Sequence, residues 1–162
     1  MFVNARAIIE RETTAGLQIV VQMRNKPHEG TKKIELPGGQ VNEYESLIDA
    51  LKREVLEETG LVVTQIGGVE TRIEASDDGT AVECCRPFAV YQTLKGPVDS
   101  MGVYFLCRAE GELLTTGDDT EKPQWVAVLQ LAEWLDQEAD KFSWVDRAGL
   151  LFYLRQGKME RT

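Results

Sequence analysis

A single histidine, His28, is all the imidazole in this 162-residue chain. That rules out a zinc centre built from clustered histidines. Cysteine is nearly as scarce. Cys84, Cys85 and Cys107 form an odd set with no C-x-x-C spacing, so neither a metal knuckle nor a disulfide framework is expected. Neighbours on a strand point to opposite faces, so Cys84 and Cys85 do not act as a pair. All three read as reduced thiols in a cytoplasmic protein. No apolar run reaches the ~18 residues that cross a bilayer, so no membrane span is expected. The first six residues, MFVNAR, lack the basic start and apolar core of a secretory signal. Positive charge is in deficit too: 18 Lys and Arg against 27 Asp and Glu give a formal net charge of −9. That balance excludes attachment to nucleic acid through a broad basic surface, and no stable nucleic-acid complex is expected. An acidic protein acting on an acidic substrate must neutralise it locally, with metal ions and a few placed Arg or Lys side chains.

What remains is the composition of an ordinary globular protein. The length suits one domain over residues 1–162 with a sizeable core. Residues 7–9 and 17–23 read as strands around a turn at residues 13–16. A short strand is expected at residues 33–36. Further strands are expected at 61–64, 69–73, 82–93, 103–108 and 125–128, with a turn at Asp77-Asp78-Gly79. Helical spacing marks residues 130–138 and 144–155, where Leu150, Leu151 and Leu154 recur on one side. Strands before and after one central helix, closed by helices at the end, imply a mixed sheet covered on both faces. Aromatics at these spacings, Tyr91, Tyr104, Trp125, Trp134 and Trp144, read as core in preference to base-stacking platforms.

The central helix carries the chemistry. It begins after Leu36-Pro37-Gly38-Gly39, read as a turn that breaks any regular element. Ser46 with Asp49 three residues on forms a capping box at its start. Gly60 suits a left-handed cap at its end. Leu47, Ala50, Leu51 and Val55 form its apolar stripe. Glu54, Glu57 and Glu58 stand at i, i+3 and i+4, which stacks three carboxylates on one face. Such a cluster is either a solvated face or a repulsive set that needs an offset. A hard divalent cation held by oxygen ligands supplies one.

The spacing is more specific than an acidic run. Gly39 is followed after five residues by Glu45, and after seven more by Arg53-Glu54-Val55-Leu56-Glu57-Glu58-Thr59-Gly60-Leu61. This resembles the Nudix box, the signature of the Nudix hydrolases, with every fixed position filled. At average residue usage, chance gives such a match on the order of once in ten million chains of this length or rarer. The resemblance implies an α/β/α sandwich around a central mixed β-sheet. It implies hydrolysis of a nucleoside diphosphate linked to another group, using Mg²⁺ or Mn²⁺. It makes Glu54, Glu57 and Glu58 metal ligands, one of them also the base toward the attacking water, and leaves open which. A backbone carbonyl at Gly38 or Gly39 completes the shell. Glu45 and Arg53 read as support, a forked pair that pins the loop to the helix. Family members often add an acidic ligand from a later loop ahead of a strand Trp. Glu121 is the first choice here and Asp119 the second. Arg24 ends a strand at a position similar to that of a phosphate-binding Arg in the family; Lys32 and Lys33 are weaker candidates.

The box does not name a substrate. Residues 75–78 lack the Pro or Tyr that some subfamilies carry beyond it, which withholds support from ADP-ribose or dinucleoside polyphosphates. The expected partner is a small nucleotide, a nucleoside triphosphate or a nucleotide sugar, and homodimer formation stays open. Two other functions live on the same fold: a non-catalytic nucleotide sensor, and an isomerase of isoprenoid diphosphates. The intact glutamates weigh against the sensor. The isomerase needs a placed acid or thiol outside the box, which Cys84, Cys85 and Cys107 do not clearly supply.

Overall fold

Two strands of opposite alternation set up the sheet. In β1 (Phe2–Thr13), Ala5, Ala7 and Ile9 point to one face and Ile8 to the other. In β2 (Gly16–Arg24), Val20 faces one way while Ile19 and Val21 face the other. Both faces are therefore apolar, as a sheet covered on both sides requires. The structure is a computed structural model that describes residues 1–24, 32–117 and 120–160; of residues 116, 117, 120, 121 and 157–160 it describes the backbone alone.

The remaining elements are β3 (Lys33–Glu35), β4 (Gly38–Gln40), α1 (Leu47–Thr59), β5 (Val62–Ile66), β6 (Ile73–Asp77), β7 (Thr80–Cys84), β8 (Ala89–Gln92), β9 (Ser100–Glu110), β10 (Thr116–Gly117), β11 (Thr120–Ala127), α2 (Val128–Gln137) and α3 (Trp144–Glu160). The main sheet runs β10-β11-β2-β1-β9-β5, with β3 on β2, β4 on β1 and β8 on β9. It is mixed: β1 lies parallel to β9 and antiparallel to β2. Helix α1 covers one face through Ile48, Ala50, Leu51 and Val55, which pack on Ala5, Ala7, Val20 and Phe105. Helices α2 and α3 cover the other through Leu131, Leu135, Leu150 and Tyr153. The result is the α/β/α sandwich expected from the sequence.

The site depends on a fork between β1 and β2. The two pair only from Glu10↔Ile19 to Thr13↔Gly16. Beyond that, β3 pairs with the end of β2, and β4 with Asn4–Arg6 of β1. Gly38 and Gly39 are thus strand residues, where the sequence suggested only a turn. Pro37-Gly38-Gly39 has turn composition, but β1 supplies a ladder that captures the backbone. Gly38 has φ +144°, and a Cβ there would strike the backbone of Ala5 and Arg6, so the ladder admits no side chain at this point.

Other boundaries also moved. Residues 69–73 were expected as a strand, yet Val69–Thr71 is a 3₁₀ turn and β6 begins at Ile73. The expected strand 82–93 is broken at residues 85–88 into β7, which pairs with β6 in a separate two-stranded sheet, and β8. Pro87 has no N–H for a ladder. Val128 starts α2 instead of ending β11. Among the described residues no helix is long and apolar enough to cross a membrane.

Candidate active site

Local signals fix helix α1. The Ser46 side chain accepts a hydrogen bond from Asp49 N at 3.0 Å. Gly60, at φ 79°, closes the other end with its N–H on Leu56 O. Glu54, Glu57 and Glu58 lie on the last turns. Glu58 is buried (6% exposed), Glu54 is half-buried and Glu57 is exposed. Strand β4 runs against this face: a Cβ built on Gly39 would sit 2.6 Å from the Glu54 carboxyl carbon. Only a glycine lets the main chain pass so close to the carboxylate.

Arg53 organises the outer half of the cluster. Its Nε and Nη2 donate to the two oxygens of Glu45 at 2.7 and 2.9 Å, the forked pair that fits a guanidinium to a carboxylate. Nη2 also donates to Gln40 O at 3.1 Å, and Nη1 to Glu54 Oε1 at 2.6 Å. Glu57 Oε2 lies 3.5 Å from Nη1. Glu45 in turn accepts Asn42 N at 2.9 Å. One side chain therefore joins the loop, the end of β4 and two of the three clustered carboxylates. The Arg53 hydrogen bonds, with that from Asn42, hold the Glu45 carboxyl down at about 2.

In the inner half no guanidinium bonds Glu58 among the described residues; Arg6 acts on it only through space. Glu58 Oε2 accepts a short hydrogen bond from Gln22 Nε2 on β2. Burial pushes the Glu58 carboxyl up to about 9, against the pull of that Gln22 bond, and the nearby Glu35 and Glu54 carboxyls add to the rise. Glu35, on β3, is also buried, and burial raises its proton affinity as well. Arg24 Nη1 lies 3.5 Å from Glu35 Oε2, which brings this candidate phosphate-binding residue to the edge of the same cluster.

A second network, on the opposite face of the sheet, holds the backbone that leads into β4. Asp146 of α3 is fully buried and accepts Leu36 N at 2.9 Å, Tyr104 Oη at 3.0 Å and Arg6 Nη1 at 3.0 Å. Arg6 Nη1 also donates to Leu36 O at 3.1 Å. The Leu36 N–H is thereby held by a helix residue 110 positions away, and the Leu36 C=O by Arg6 of β1.

The match to known proteins now has a geometric context. The NUDIX domain family model matches residues 2–147, most of the chain. This chain belongs to the Nudix hydrolase family. Its fold is shared with the MutT protein of Methanosarcina mazei Go1, at TM-score 0.61 and 20% identity over 97% of this chain and 95% of that one. It is shared too with a NUDIX hydrolase from Nitrosomonas europaea, at TM-score 0.60 and 18% identity over 97% and 90%. A 32-residue segment is 53% identical to the 8-oxo-dGTP diphosphatase of Buchnera aphidicola subsp. Acyrthosiphon pisum (strain APS). That segment is 20% of this chain and 26% of that protein.

Within this Nudix fold, Gly39, Glu45, Arg53, Glu54, Glu57 and Glu58 come together. Among the described residues, however, no three acidic, His or Cys side chains converge on one point. Glu54 is turned to Arg53, and Glu58 to Gln22. Glu121 is placed by its backbone alone, opposite Met23 on β2. Its side chain, Asp119 and His28 lie outside the described residues. Lys33 is turned away, donating a short hydrogen bond to Asp140 O. Tyr104 is core; Trp125 packs under the Arg11 guanidinium, 4.1 Å from the ring centre. Phe88 packs edge-on against Phe152 and Tyr153. The site also depends on Gln22, Glu35, Arg6 and Asp146, which no motif in the sequence marks. A signal was there for the first: Gln22 follows Val20 on the same inward face of a strand, where an apolar residue is the rule.

Proposed function

We propose that this Nudix protein hydrolyses the diphosphate linkage of a small nucleotide, a nucleoside diphosphate joined to a further phosphate or sugar. Mg²⁺ or Mn²⁺ would be held by Glu54, Glu57 and Glu58, with the Gly39 backbone beside them. The observation that carries this reading is the imbalance within the cluster. Glu58 is buried beside Glu35 and Glu54, with an amide, not a cation, as its hydrogen-bond partner. A buried carboxyl left this way keeps its proton, and it carries its charge only when a positive ion joins it. The donors are all oxygens, which suits a hard divalent ion that keeps some of its waters. When bound, such an ion neutralises phosphate oxygens, acidifies water and stabilises the leaving phosphate.

The chain's own residues divide the remaining work. Arg53 and Glu45 hold Glu54 against β4. Arg24, at the end of β2, offers a guanidinium to the substrate's phosphates. Glu121 is the candidate for a further acidic ligand. One of the clustered glutamates takes the proton from the attacking water. Cys84, Cys85 and Cys107 are all free thiols, which accords with a reducing, cytoplasmic setting.

The Buchnera relative makes 8-oxo-dGTP one substrate to try. The test is a panel of nucleoside triphosphates, 8-oxo-dGTP, nucleotide sugars and dinucleoside polyphosphates with Mg²⁺, and identification of products. Cleavage between two phosphates, abolished by a chelator, is expected. Binding without turnover across the panel would favour the sensor function instead.

A further inference from the structure

Gln22 and Glu35 have no task in the reading above, yet they are 1% and 3% exposed and sit beside the acidic face. They stand opposite each other where β2 pairs with β3. Period-2 alternation puts Gln22, Arg24 and Glu35 on the face covered by α1. Gln22 Nε2 donates to Glu58 Oε2 and lies 3.4 Å from Glu35 Oε1. The other Glu35 oxygen lies 3.5 Å from Arg24 Nη1. A continuous polar chain thus runs Glu58–Gln22–Glu35–Arg24, from the helix to the end of the strand.

The choice of residue types is informative. Two carboxylates facing each other out of water repel. An amide nitrogen carries two hydrogens, one for each. The other end of that amide, Gln22 Oε1, is buried without a hydrogen-bond partner among the described residues. Turning the amide over would set this oxygen against two carboxylates, so the carboxylates dictate its orientation. Glu35 likewise needs both oxygens, one for the amide and one for the guanidinium. Arg53 and Glu45 restrain Glu54 from the outside of the cluster; Gln22 and Glu35 restrain Glu58 from the inside.

We propose that Glu35 is a positioning residue with two arms: through Gln22 it sets where the Glu58 carboxylate points, and through its second oxygen it aims Arg24 at the substrate's phosphates. The proposal rests on the functional reading above. It requires the two arms to be separable, one visible in metal binding and kcat and the other in KM.

The test uses the full chain, with a nucleotide that the wild type hydrolyses and with Mn²⁺ binding followed by thermal shift, a readout independent of turnover. In Glu35→Gln the new amide has one oxygen to offer, so it cannot accept from both partners. About a tenfold loss is expected in kcat and in Mn²⁺ affinity, or a similar rise in KM, or both, the size typical of coupling between contacting residues. The KM effect should vanish in an Arg24→Ala background. The kcat and Mn²⁺ effects should vanish in a Gln22→Leu background. Gln22→Leu alone, which keeps Glu35 and Arg24, should weaken Mn²⁺ and lower kcat about tenfold with KM unchanged, and it decides the matter if Glu35→Gln does not fold. Glu35→Gln with all three constants within about twofold of wild type would overturn the inference, as would effects that persist undiminished in both backgrounds. A wild type that binds no Mn²⁺ and hydrolyses nothing in the panel would instead sink the functional reading and the inference together.

Discussion

Replacing Arg53 by alanine removes four hydrogen bonds at once, two to Glu45, one to Glu54 and one to Gln40 O. Hydrogen bonds to charged groups contribute about 1.5–3 kcal/mol when buried, and exposed ion pairs about 0.2–1 kcal/mol. The Arg53 side chain is 30% exposed and that of Glu45 15%, so these bonds lie between the limits. A total of about 2–3 kcal/mol follows, which for a chain of this size is a fall in Tm of about 5–10 °C. The loss has a pH signature. Glu45 has its carboxyl held at about 2 against an ordinary 4.5, chiefly by Arg53. A group depressed in the folded state stabilises fully above its unfolded value and loses that contribution as pH falls through the folded one. The gap in Tm between wild type and Arg53→Ala should therefore be constant from pH 7 to about pH 5 and narrow below about 4.5. Calorimetry at pH 7, 5 and 3, without divalent ions, measures it. An unchanged Tm at pH 7 with activity lost would refute the supporting role and make Arg53 a direct participant. A gap that widens in acid would refute the assignment of the charge pair.

Three further outcomes are expected. Glu58→Gln should lower kcat by about a hundredfold or more while the metal-free protein stays as stable as wild type or gains stability. Because burial raises the Glu58 carboxyl to about 9, metal-free wild type binds an extra proton between about pH 4.5 and 9. Its stability should fall as pH rises through that window, with up to about 1.4 kcal/mol per pH unit from Glu58, and melts of Glu58→Gln should show a shallower slope, the remainder coming from Glu35, whose proton affinity burial also raises. Asp146→Ala should lower Tm by about 10 °C or more, since it strands a buried Arg6 at a cost of about 3–5 kcal/mol. Replacing Arg6 and Asp146 together with apolar residues should cost less, and thermal melts distinguish the two. Gly39→Ala should cut kcat about tenfold or more with Tm nearly unchanged, because its Cβ would displace the Glu54 carboxylate while φ there is unstrained.

What the sequence displayed openly was local. Ser46, Asp49 and Gly60 announce the ends of α1 within a few residues of the backbone groups they satisfy. The fixed spacing of Gly39, Glu45, Arg53 and the three glutamates lies in one loop and one helix. The rest depends on pairing between distant segments. Gly38–Gln40 is a strand only because Asn4–Arg6 lies beside it. Glu35 matters because β3 pairs with β2, which places it across from Gln22. Asp146 reaches Leu36 only once α3 has docked. No short-range pattern encodes these meetings, although a glutamine and a glutamate on the inward faces of strands were a visible anomaly. The split of residues 82–93 was also legible in Pro87, whose missing N–H argues against an unbroken strand.

The central claim, that the acidic face of α1 holds a divalent ion, is tested most directly by Mn²⁺ binding. The free-ion electron paramagnetic resonance signal can be titrated with wild type and with the triple variant Glu54→Gln, Glu57→Gln, Glu58→Gln. Saturable binding by wild type, weakened about a hundredfold or more in the folded triple variant, is the predicted result. Equal affinity in the two proteins, or no binding by wild type, would contradict it.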